Sequence, residues 1–112
     1  INIVFRKEWL MMPDKRGKWS KENLRDIWNN YVNNDNLINK VKKKHKLDLN
    51  GMNFDEKAPC YWCGKIMIRA QYQGIQPDKK ASWDVDHYNS NPRDNSAGNL
   101  VPMHPWCNKE KG

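Results

Sequence analysis

The sequence predicts an α+β fold: a basic helical region over residues 1–50, then a zinc-stapled core over residues 51–112. Three observations carry this reading. After Ser20, the apolar residues Leu24, Ile27, Trp28, Tyr31 and Val32 recur at helical spacing. Cys60-Tyr-Trp-Cys63 and His104-Pro-Trp-Cys107 each place two soft metal ligands two residues apart. Between these pairs, Trp83-Asp-Val-Asp-His87 alternates apolar and acidic residues as a strand does.

The chain has 112 residues, 38% hydrophobic, and a mean hydropathy of -1.07. That length fits one domain, or one domain with a helical extension, and a core this lean needs metal, disulfides or a partner. Six Trp residues supply large apolar area from few positions. The net charge of +7 and the pI near 9.4 point to an anionic partner, most simply nucleic acid. Residues 1–50 hold 12 Lys and Arg against 6 Asp and Glu, and residues 51–112 hold 8 against 7. The phosphate-gripping surface is therefore expected in the N-terminal half. No apolar run approaches the roughly 18 residues that a membrane span needs. The chain begins at Ile rather than Met, so a processed piece of a longer protein is expected, with any address label outside it.

In chain order, residues 1–19 offer Phe5, Trp9, Leu10, Met11 and Met12 as apolar anchors around a turn at Pro13–Gly17. Ser20 is the expected N-cap of the first helix. Asn33-Asn-Asp-Asn36 interrupts the pattern, and a second helix is expected from Leu37 to about His45. Lys42, Lys43 and Lys44 close it, where cations suit the negative end of the helix dipole and can also grip phosphates. His45 is expected as an exposed helix-end residue. A turn at Asp48–Gly51 marks the boundary to the core. Strands are expected over Lys65–Gln71 and Trp83–His87, a turn over Gln76–Lys80, a loop over Tyr88–Gly98, and a short strand over Asn99–His104. Pro105 suits the first position of a terminal helix.

Three cysteines do not make a disulfide set, but Cys60, Cys63 and Cys107 with His104 make a complete tetrahedral zinc set. The two claws lie about 40 residues apart, so zinc would close a long loop around the middle strands. With all four positions filled by protein, that zinc is structural rather than catalytic.

The order Cys-x2-Cys, Asp86-His87, Asn99-Leu-Val, Cys107-Asn108-x-x-Lys-Gly resembles the HNH endonucleases, in particular their zinc-bearing, endonuclease VII-like branch. The resemblance covers roughly residues 59–112. Two departures stand out: Asn108 takes the final His position, giving an H-N-N variant, and the second claw is His-x2-Cys where the family usually has Cys-x2-Cys. The resemblance implies a ββα-metal core of two strands, a loop and a helix, holding one divalent cation. It implies that Asp86 and Asn108 bind that cation, that His87 is the general base, and that Asn99 braces the loop. Oxygen ligands of this kind suit Mg²⁺, and histidine changes charge near physiological pH. The other ring nitrogen of His87 needs an acceptor, expected to be a backbone carbonyl of the loop. Asp86 and His87 are adjacent and should diverge on a regular strand, so both reach one phosphate only if the strand ends or bulges there. Asp84 is expected at the surface, and Arg93 and Lys109 are further candidates for phosphate contact.

Two functions follow. One is a metal-dependent endonuclease, DNA before RNA, with little sequence preference of its own. The other is a non-catalytic zinc module that binds nucleic acid. A chain that begins without Met and ends almost at Lys111-Gly112 of the motif also resembles the C-terminal toxin domains of bacterial competition systems, which implies delivery into a rival cell and a cognate immunity protein as partner; a phage, homing or restriction origin is the equal alternative.

Overall fold

The computed structural model describes residues 18–72 and 80–112. The apolar anchors of residues 1–17 and most of the turn expected at Gln76–Lys80 lie outside the described residues. The fold is mixed α and β: helix α1 (Lys21–Val32), helix α2 (Asp35–His45), strands β1 (Lys57–Pro59), β2 (Ile66–Ile68), β3 (Asp84–His87) and β4 (Leu100–Met103), and helix α3 (Pro105–Lys111).

Ser20 caps α1 by accepting from the Asn23 N–H at 3.0 Å. The helix buries Leu24, Ile27, Trp28 and Tyr31, the expected stripe. The polar Asn33–Asn36 stretch does interrupt the helices, but it also starts the second one. Asn34 accepts from the Leu37 N–H, so α2 begins at Asp35, two residues earlier than expected.

The strands form two antiparallel pairs. β1 pairs with β2 in the register Lys57↔Ile68, Ala58↔Met67, Pro59↔Ile66, and this hairpin is closed by the Cys60–Cys63 turn. β1 was not expected, because Lys-Ala-Pro has neither alternation nor β-branched residues; its partner strand defines it. β3 pairs with β4 in the register Asp84↔Met103, Val85↔Pro102, Asp86↔Val101, His87↔Leu100. The strands are shorter than expected: Trp83 makes only an isolated bridge to Tyr72, and Asn99 belongs to a 3₁₀ turn (Ala97–Asn99).

All four β4 residues are buried, and α1 packs across them. Leu24, Ile27, Trp28 and Tyr31 share one core with Met67, Trp83, Val101 and Met103. Trp28 and Trp83 meet at 5.4 Å between ring centroids, in a tilted arrangement. Their indole N–H groups donate to the carbonyls of Phe54 (2.7 Å) and Arg69 (2.9 Å). The Tyr31 hydroxyl donates to the Pro59 carbonyl at 2.6 Å, and burial pushes its pKa well above the usual phenol range. These bonds tie α1 to the chain segment that leads into Cys60. Among the described residues no helix is long and apolar enough to cross a membrane.

Candidate metal centre and adjoining polar cleft

The turn after β1 and the junction between β4 and α3 bring Cys60, Cys63, His104 and Cys107 together, with their ligand atoms all within 4.8 Å of one another. The Cys60–Gly64 turn closes through Gly64 N–H to the Cys60 carbonyl (2.7 Å) and Cys60 N–H to the Lys65 carbonyl (2.8 Å). The Lys65 N–H points at Cys63 Sγ, 3.4 Å away. Gly64 has φ +78°, and a Cβ there would stand 2.6 Å from His45 Cγ. The turn therefore requires glycine for both conformation and space. His45 is accordingly half-buried against the turn rather than exposed as expected, because the chain folds back over the end of α2.

The donor set fits a zinc ion. His104 Nε2–H donates to the Ile66 carbonyl at 3.0 Å, which leaves Nδ1 to face Cys63 Sγ at 3.3 Å. Burial lowers the His104 pKa and keeps the ring neutral, as a ligand must be. Burial raises the Cys60 and Cys107 thiols; Cys63 adds repulsion at Cys60, and both Cys60 and Cys63 add it at Cys107. Backbone N–H groups of His104, Cys63 and Trp62 pull Cys60 partly back. Crowding of this kind, with Cys60 and Cys107 both raised, is what a soft divalent cation relieves. Trp106 stacks on the His104 ring at 4.5 Å and 13°, covering one side of the cluster.

Beside this cluster lies a small cleft of about 200 Å³ lined by Asp86, His87, Asn108 and Lys111, among others. β3 ends at His87 and the chain turns at Tyr88, so Asp86 and His87 both reach the cleft despite their adjacency. Asp86 is 6% exposed. Its Oδ2 accepts from the Tyr61 hydroxyl (2.5 Å) and from Lys111 Nζ (2.9 Å). Lys111 Nζ also donates to the carbonyls of His87 (2.8 Å) and Tyr88 (3.1 Å), clamping the end of α3 onto the end of β3. Burial and the Asp86 carboxylate push the Tyr61 phenol far above its usual range, so it remains a donor. Asn108 Nδ2 donates to the Val85 carbonyl at 3.3 Å, so its Oδ1 is the atom that could face a cation.

His87 Nε2 lies 2.7 Å from Asn95 Oδ1. A carboxamide oxygen only accepts, so Nε2 carries the hydrogen of this bond. The acceptor is thus a side chain and not the backbone carbonyl that was expected. Asn99 is buried and braces the Tyr88–Gly98 loop: its Oδ1 accepts from the Asn89 N–H (2.9 Å), and its Nδ2 donates to Asn89 Oδ1 (3.0 Å) and the Asp94 carbonyl (2.8 Å).

Asp84 takes no part in the cleft. It is half-buried beside Tyr72, where burial raises its pKa and lifts the Tyr72 phenol to about 12. Lys42, Lys43, Arg93 and Lys109 are exposed and do not line the cleft. Lys44 stands over the Trp62 ring at 5.7 Å. The cation that lines the cleft is Lys111, the lysine of the Cys107-Asn108-x-x-Lys-Gly motif. Tyr61, Asn95 and Lys111 were missed because each acts on a residue distant in sequence; only the position of Tyr61 inside the first claw hinted at it. Comparison of the chain with protein-family models, curated proteins and solved structures finds no match in any of the three.

Proposed function

We propose that the protein is a metal-dependent endonuclease of the HNH type that hydrolyses phosphodiester bonds of nucleic acid, DNA before RNA. One observation carries the reading: Asp86, His87 and Asn108 line a single cleft, and Asn95 Oδ1 holds the imidazole through its Nε2. The order of β3, the loop braced by Asn99, β4 and α3 is the order of strands, loop and helix in a ββα-metal core.

In this reading His87 Nδ1 accepts the proton of an attacking water while Asn95 fixes the ring. Lys111 brings a fixed positive charge to the same cleft, where it favours an approaching phosphate. Asp86 already holds a cationic group in Lys111, and with Asn108 it offers the hard oxygen donors that Mg²⁺ prefers. Bound there, such an ion would stabilise charge on the scissile phosphate and its leaving oxygen. The Cys60, Cys63, His104 and Cys107 centre is the structural one, with no coordination position left for water. The basic surplus of the N-terminal half supplies the electrostatic attraction for the polyanion.

The test is incubation of supercoiled plasmid with wild type and with His87→Ala, each verified to carry one zinc. Cleavage by wild type alone, about 10²- to 10⁴-fold faster than the variant, supports the nuclease. Plasmid binding without cleavage by either protein, with RNA equally uncut, would leave a non-catalytic nucleic-acid module.

A further inference from the structure

A second hollow, about 240 Å³, lies between α2 and the turn that carries the first metal claw. Leu37, Val41 and Lys44 lie at i, i+4 and i+7 on one face of α2, with Lys40 beside them, and all four line it. Leu37 and Val41 are buried and form an apolar floor. Tyr61, Trp62 and Tyr88 form the opposite wall. Tyr61 and Tyr88 meet at 5.4 Å and 51°, and Tyr88 is 39% exposed, so an aromatic face is open to solvent. Lys40 and Lys44 set the charge of the rim, Lys44 leaning over the Trp62 ring. None of the described residues lining the hollow is acidic.

The hollow also shares a wall with the polar cleft. Tyr61 lines the hollow and donates to Asp86, and Tyr88, on the same wall, accepts from Lys111 through its carbonyl. A ligand seated between α2 and Tyr88 therefore lies next to the groups that line the cleft.

We propose that this hollow binds an unpaired nucleotide of a nucleic-acid strand, its base stacked on Tyr88 and Trp62 and its phosphates on Lys40 and Lys44. Exposed aromatic faces interleaved with cations are the elements that hold single strands without regard to sequence. A duplex buries its base faces and presents only phosphates, so it cannot use the aromatic wall. The strand would run from this hollow into the cleft, making the substrate one that is locally unpaired next to the cut. The inference rests on the nuclease reading for that last step only; binding in the hollow does not require cleavage.

The experiment measures fluorescence anisotropy of a labelled ten-residue oligothymidylate and of a labelled hairpin duplex. His87→Ala protein with one zinc and no added Mg²⁺ is used, so that no strand is cut. Tighter binding of the single strand, weakened about 5- to 150-fold by Trp62→Ala or by Tyr88→Ala with duplex binding unchanged, is the expected result. Zinc content of each variant confirms that the metal turn is intact, and Lys44→Gln provides an independent variant that leaves the aromatic wall in place. Equal affinity for both oligonucleotides, or single-strand affinity unaffected by the aromatic substitutions, overturns the proposal and leaves the hollow to a protein partner. Because cleavage is not read, a chain that never cuts can still bind the strand here. A chain that cuts but fails this test keeps its nuclease reading.

Discussion

At the scale of single residues, the bond from the Tyr61 hydroxyl to Asp86 links the first claw to the cleft. Tyr61 sits between the two cysteines of the first claw, so the metal turn itself holds the carboxylate of the cleft. Tyr61→Phe keeps the ring packed on Tyr88 but removes a donor from a buried carboxylate, and a loss of about 1.5–3 kcal/mol in urea unfolding is expected. An unchanged midpoint would show that Lys111 alone satisfies Asp86. Asn95 acts through His87: Asn95→Ala is expected to cut cleavage about 10- to 100-fold, the cost typical of a lost orienting partner, with zinc content unchanged. The possible metal group of Cys60, Cys63, His104 and Cys107, and the cleft residues Asp86, His87 and Asn108, could be picked out because their types and spacings are constrained by chemistry. Their supporting partners could not. Tyr61, Asn95 and Lys111 belong to ordinary residue types, and only folding brings them onto groups 25, 8 and 25 positions away.

At the scale of elements, α1 and α2 were readable from a helical apolar stripe and a Ser cap, and α3 from Pro105. The short strands were less so, because three or four residues carry little periodicity, and β1 carries none. The tight metal turn is the element whose failure is easiest to provoke. Gly64→Ala would force a side chain at φ +78° into the His45 ring, so loss of zinc affinity is expected by competition with a chromophoric chelator. Retained affinity would mean that His45 swings away at little cost. The other joint is Lys111, whose side chain is 11% exposed and makes three hydrogen bonds across the α3 and β3 ends. Lys111→Met strands the Asp86 carboxylate and should destabilise the fold by about 3 kcal/mol, read from thermal or urea unfolding.

At the scale of the whole molecule, the charge asymmetry and the lean composition point to an anionic partner and to a need for metal. They could not anticipate that the helices and the half carrying the possible metal group share one core through Trp28, Tyr31 and Trp83, since side-chain meetings across such distances leave no local trace. A structural zinc contributes about 10–16 kcal/mol in small metal-folded domains, as much as the whole stability of an ordinary domain, about 5–15 kcal/mol. Chelated protein is therefore expected to lose its near-ultraviolet circular dichroism. Acid should weaken the fold in the same direction. In the metal-free chain burial holds the His104 pKa below its ordinary 6.5. The unfolded chain then binds the extra proton first, so this contribution is complete above 6.5 and is lost as pH falls through the folded value. The most direct measurement separates the two metal roles: plasmid cleavage as Mg²⁺ is titrated, with bound zinc quantified at each point. Cleavage that rises with Mg²⁺ while zinc stays at one per chain is the predicted result. Zinc held at one per chain with no cleavage of DNA or RNA in any divalent metal would contradict the account.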